Sequence, residues 1–181
     1  MLQITIPISP EGWDERKEEF VDAKTVTLQL EHSLVSISKW ESKWHKPFLS
    51  KDEKTAEETI DYIKCMTLTQ NVKAEVYEYL TGENIRDINA YIEDSKTATT
   101  FSNDRSSGPN REIITSEVIY YWMVALNIPF ECQKWHLNRL LTLIRVCNVK
   151  NNPGKKMNKK ELLSKYDAIN KANRKRFNTK G

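Results

Sequence analysis

Glycine is scarce in this 181-residue chain: there are five, and no two lie close together. A loop that cradles phosphate needs clustered glycines so that its backbone can approach the anion, so P-loop and dinucleotide-binding fingerprints are excluded. There is no Gly-x-Ser-x-Gly elbow for a nucleophilic serine. Cysteine is scarce too. Cys65, Cys132 and Cys147 are odd in number, form no C-x-x-C pair and sit in apolar helical patterns, so they read as reduced core thiols. None of the histidines His32, His45 and His136 has a second histidine four residues away, and no cysteine or carboxylate completes a ligand set. Neither a metal nor a cofactor is expected. Long apolar runs are also absent. The longest, Val118 to Ile128, is interrupted by Asn127 and followed by Pro129, well short of the ~20 residues that span a bilayer. The segment Met1 to Pro7 has no basic start and no long apolar stretch, so it is not a signal peptide. These absences predict a non-catalytic, cytoplasmic protein without membrane contact.

Two small constellations invite a catalytic reading and are better explained otherwise. Trp44-His45 and Trp135-His136 are read as core tryptophans beside surface or boundary histidines, because buried aromatics are usually packing. Glu18-Glu19 and Glu57-Glu58 are adjacent carboxylates. On a helix they point in different directions, which suits first turns and solvated faces rather than paired acid-base work.

What is present is charge, unevenly distributed. Charged residues make up 29% of the chain and apolar ones 39%, a globular composition. The net charge is +3, yet residues 151–181 carry ten Lys or Arg against two acids, +8, leaving 18 against 23, −5, for residues 1–150. The sequence is therefore divided into a core domain, 1–150, and a basic tail, 151–181.

The fold class expected is mostly α: a bundle of six to seven helices with a small N-terminal β-hairpin and a basic C-terminal helix. Leu2, Ile4 and Ile6 alternate with polar residues, as do Val26, Leu28 and Leu30, giving two strands that can pair under covering helices. Pro7, Pro10 and Gly12 are expected to break the chain between them. Ser33 caps a helix bearing Leu34, Ile37, Trp40, Glu41 and Trp44, which Pro47 ends. Ser50 to Glu53 and Thr55 to Glu58 both read as capping boxes, and the second fits the apolar set Ile60, Ile63 and Met66 or Thr67 better. Val72, Val76, Tyr79 and Leu80 predict a short helix closed by Gly82 as its C′ residue, and Ile85, Ile88 and Ile92 another. Residues 94–111 are polar and longer than the ~12–15 residues of ordinary loops. Ile113 to Leu126, with Ile114, Val118, Tyr121, Trp122 and Ala125, and Glu131 to Val149, with Trp135, Leu140, Leu143, Ile144 and Cys147, predict two long helices. Joined by a tight Asn-Ile-Pro turn, they read as an αα-hairpin at the centre of the core.

The tail carries the functional weight. Lys155, Lys156, Lys159, Lys160, Arg174 and Arg176 present a cationic surface, while Leu162, Tyr166 and Ile169 give the same segment an apolar face. Charge alone suits a solvated tail or sequence-independent nucleic-acid binding. The apolar face favours docking on a protein, with the charges steering the encounter. Single-strand binding normally adds several aromatics for stacking, and only Tyr166 and Phe177 are available here.

Three stretches together carry a family likeness. They are Leu28 to Glu41 with Trp44 and Lys46-Pro47-Phe48-Leu49; Ser116 to Leu143 around Tyr120-Tyr121-Trp122-Met123 and Trp135-His136-Leu137-Asn138-Arg139-Leu140-Leu141; and Pro153-Gly154-Lys155-Lys156-Met157 leading to Ala168 through Arg176. In these the chain resembles small proteins of the virion-structure gene regions of tailed bacteriophages, the nearest type being the tail assembly chaperone. The resemblance implies a mostly helical fold without catalysis. It implies binding of the tape-measure protein while tail-tube subunits polymerise around it, with possible self-association. A structural virion or connector protein, or a nucleic-acid-binding accessory protein acting through the basic tail, are the alternatives.

Overall fold

The structure, a computed structural model, describes residues 1–9, 24–101, 113–151, 163–164, 166–171 and 174, and the backbone of 12–14 and 19–21. It is mostly helical with an antiparallel pair of N-terminal strands. By internal contacts the chain divides into Met1–Arg145 and Val146–Gly181.

Strand β1 (Leu2–Ser9) pairs antiparallel with β4 (Lys24–Leu30), while β2 (Gly12–Asp14) pairs with β3 (Glu19–Val21) as a separate ribbon. Leu2 lies opposite Leu30, Ile4 opposite Leu28 and Ile6 opposite Val26. The period-two pattern places Ile4, Ile6, Leu28 and Leu30 in the core. Contrary to expectation, Pro7 does not end β1, and Gly12 opens β2 rather than a break. Pro7 faces Thr25 at a register position whose backbone groups point away from the partner strand, so its missing N–H costs the ladder nothing.

Helix α1 (Leu34–Trp44) starts at the reciprocal Ser33–Ser36 capping box and ends at His45, whose left-handed backbone (φ 52) sends its N–H to Glu41 O. Helix α2 (Ala56–Met66) starts at the Thr55–Glu58 box. A 3-10 turn, Ala74–Tyr79, leads to α3 (Gly82–Glu93). Gly82 is thus the first residue of a helix and not the close of the previous one. Thr81 accepts from Asn84 N, and Asn84 Oδ1 accepts from Thr81 N, a capping box with Asn in the usual Glu or Gln place. Adding a Cβ at Gly82 meets nothing within 4 Å. Gly82→Ala is therefore expected to stabilise the chain by about 0.4–1 kcal/mol in urea denaturation. A C′ glycine would instead lose stability on that change.

Helix α4 (Ser116–Ala125) is followed by a 3-10 turn, Phe130–Lys134, and α5 (Leu137–Asn151). The continuous helix expected from Glu131 is broken at Trp135 and His136. There the backbone is extended (Trp135 ψ 161), Ser33 bridges His136, and Leu137 N donates to His32 O at 2.7 Å. The αα-hairpin does not form as expected either: α4 packs on α1 rather than along α5. The central helix is α1, which also carries α2 and the Phe130–Lys134 turn, while α3 and the Ala74–Tyr79 turn cover β1. Leu34, Ile37 and Trp40 of α1, Ile63 and Met66 of α2, Ile119 and Met123 of α4, and Leu137 and Leu140 of α5 are all buried. Each such side chain contributes about 1.5–3 kcal/mol by leaving water. Of the cysteines, Cys132 is buried, but Cys65 and Cys147 are only half-buried. Among the described residues no helix is long and apolar enough to cross a membrane.

Candidate functional site

Chemistry would first be sought among the buried polar groups, and these lock elements together. His32 Nδ1 is hydrogen-bonded to Tyr62 Oη at 2.5 Å, and the rings of His32 and His136 lie 5.1 Å apart. His136 Nε2–H donates to Tyr91 O at 2.9 Å, while its Nδ1 accepts from Asn138 N at 3.3 Å, so both ring nitrogens are used by a neutral imidazole. Tyr91 Oη–H donates to Glu31 Oε1 at 2.7 Å, and the Met1 ammonium lies 2.8 Å from Glu31 Oε2. Burial, helped by the neighbouring His136, pushes His32 down to about 3. Burial also lowers His136 and raises Tyr62. Together these groups tie the β4–α1 junction to the start of α5. The Trp135-His136 reading is therefore reversed, since His136 is buried and Trp135 half-buried. Trp44-His45 has its exposed histidine as expected, but Trp44 is half-buried, with its Nε1–H on Asp61 at 3.0 Å. Burial alone would raise Asp61, but the Lys43 ammonium and Trp44 N–H outweigh it and hold the carboxyl below its ordinary range. Among the described residues no three His, Cys, Asp or Glu side chains gather as a metal cluster.

Glu41 is a second clasp. It is buried, and its two oxygens accept from Phe48 N and Ser116 N, each at 2.7 Å. It thereby holds the chain after α1 and the start of α4 in one grip. A recess of about 480 Å³ opens beside it, lined by His45, Pro47, Thr115 and Glu117.

The outward side of α4 is different. This helix is apolar almost all round, so tertiary packing decides which side is buried. Ile119 and Met123 take the core, while Val118 and Trp122 are half-buried and Ala125 is exposed, which corrects the expected inward stripe. Tyr121 is left 68% exposed and Val124 59%, with Phe130 of the following turn at 53%. Tyr120 sits 6.4 Å from the Phe130 ring and donates its hydroxyl to Gln133 Oε1 at 2.9 Å, which fixes the turn against the helix. Large apolar side chains grouped on an ordered surface mark interaction sites more often than single exposed ones do.

Known proteins give no guide. No family model, no curated protein and no solved structure matches the chain.

The tail residues singled out from the sequence divide in two. Leu162, Lys155, Lys156, Lys159, Lys160 and Arg176 lie outside the described residues, as does the 102–111 part of the polar loop. Tyr166, Ile169 and Arg174 are helical and exposed, and so is Leu163. The sequence pattern places the α4 residues in the core and so does not mark Tyr121 and Val124 as exposed. The signal available was a helix too apolar for one buried stripe.

Proposed function

We propose that this chain is a non-catalytic assembly chaperone of the tailed-bacteriophage type, working in the host cytoplasm. Its client is a long helical protein such as a tape-measure protein, held until other subunits polymerise around it. The observation that carries this reading is the exposure of Tyr121 and Val124, one turn apart on α4, with Phe130 exposed on the turn that follows. An amphipathic client helix laid on such a surface gains apolar burial at anchors spaced three and four residues apart. Modest affinity per site is multiplied when many copies line one client. Two of the stretches that carry the family likeness are also those that interlock here, through Glu41 on Ser116 and His32 beside His136. Their part is to hold α1, α4 and α5 so that the α4 surface is presented. The exposed Tyr166 and Ile169 supply a second contact, with the tail cations steering the encounter.

The double change Tyr121→Glu with Val124→Glu is expected to weaken client binding at least about tenfold while far-UV circular dichroism and thermal stability stay near the original, because both side chains point to water. Unchanged client binding in that folded variant, measured by calorimetry, removes α4 from the interface. Leu162→Asp with Ile169→Asp applies the same test to the tail.

A further inference from the structure

The sheet of β1 and β4 has only two strands, and part of its β4 edge is open. On β4 the outward backbone groups are identified by the bonds that already use some of them. Gln29 O accepts from Leu68 N at 2.8 Å, Gln29 N donates to Thr69 Oγ1 at 2.9 Å, and Glu31 N donates to Met66 O at 2.9 Å. Strand groups alternate sides, so Thr27 and Thr25 present their N–H and C=O on this same edge. Both residues are exposed, and among the described residues nothing takes these groups. The edge of β1 is less available over the matching stretch. Asn84 Nδ2 donates to Thr5 O at 3.3 Å, and Pro7 has no N–H to offer.

Beside the open edge lies a groove of about 450 Å³ whose apolar lining is Ile8, Val26, Val72, Val76 and Tyr79. Its origin is visible in the chain. The segment after α2 pairs antiparallel with β4, Thr67 opposite Leu30, and then turns away at Asn71, which has a left-handed backbone (φ 57). Pairing stops while β4 continues, so Val26 and Ile8 extend the apolar face of the sheet past the segment that covers it.

We propose that the β4 edge at Thr25 and Thr27, together with this groove, binds an extended segment of a partner protein by strand addition. The incoming strand continues the edge that residues 66–69 already occupy. Its backbone meets the free N–H and C=O groups, and alternate side chains, β-branched or apolar, fill the groove. A second copy of β4 is a poorer occupant. Its Leu28 and Leu30 are buried in its own core, which leaves only Val26 to offer. This site takes a strand and is separate from the α4 surface, which takes a helix, so either can fail without the other.

The test uses the full chain with labelled amides and, as probe, a capped peptide of alternating threonine and valine, about six residues long, the usual length of a strand. In the free chain the Thr25 and Thr27 amides are expected to exchange rapidly. Added peptide should slow both and shift the Val26 and Val72 signals. Thr25→Pro removes one outward N–H and leaves the β1 ladder intact, and Val72→Glu charges the groove. Each should weaken the peptide about tenfold with the fold unchanged. The proposal is overturned if both amides are already protected in the dilute free chain, if the peptide perturbs neither, or if both folded variants bind it normally. It is also overturned if protection appears only with rising protein concentration alongside a dimer in sedimentation, for then a second copy is the occupant.

Discussion

Glu41→Ala is expected to lower the unfolding free energy by about 3–5 kcal/mol, one of the largest losses any single change to this chain should produce. The carboxylate is buried and satisfies Phe48 N and Ser116 N at 2.7 Å each. Alanine leaves both donors without their partner at a buried position, at about 1–3 kcal/mol each, and removes the packing of the side chain besides. For a chain whose whole stability is of order 5–15 kcal/mol, that is enough to detach α4 from α1 under mild denaturant. Glu41→Gln separates the causes. It keeps the volume and one carbonyl oxygen but turns an amide against the other donor, so it should recover about half of the loss. Urea denaturation followed by tryptophan fluorescence reads both, and a loss below about 1 kcal/mol for alanine would mean that the two amides are solvated after all.

Acid sensitivity is the second large effect. His32 stays neutral in the folded chain down to about 3, against 6.5 for a free imidazole. A depressed histidine means that the unfolded chain takes up the proton first. The contribution of neutral His32 is therefore intact above pH 6.5 and is lost progressively as pH falls toward about 3. By about pH 4.5 the loss from this residue is roughly 3 kcal/mol. His136, lowered in the same direction chiefly by burial, adds to it. Stability measured against pH should fall more steeply across this window in the original chain than in His32→Gln, which has no proton to take up. The carboxylates common to both cancel in that comparison. An imidazole signal for His32 that titrates near pH 6.5 in the folded chain would contradict the account.

How much was legible follows from where each determinant lies along the chain. The Ser33 and Thr55 caps are local chemistry, a side chain reaching three residues on, and they start helices where the sequence places them. The alternation in Leu2–Ile6 and Val26–Leu30 is equally local, and both strands form. Asn84 stands where Glu or Gln is expected at the third helical position, so the pattern hides the Thr81 cap and reads Gly82 as the close of the preceding turn. In α4, apolar residues on nearly every side leave periodicity nothing to choose between. Only packing on α1 separates the buried Ile119 and Met123 from the exposed Tyr121 and Val124. The His32–His136 pairing and the Glu41 clasp join residues distant in sequence, where no spacing rule applies. The break before α5 has the same origin, since Ser33 draws His136 into an extended bridge that local propensity does not require.

The most direct test of the assembly-chaperone reading is capture of the tagged full chain from cells expressing the neighbouring virion genes. Capture is done after nuclease treatment, at low and high salt, beside the Tyr121→Glu, Val124→Glu variant. The account predicts one protein much longer than this chain, mostly helical by circular dichroism once purified, retained at both salt concentrations by the original chain and lost by the variant. Recovery of nucleic acid alone, released by nuclease or high salt, would contradict it and assign the function to the basic tail.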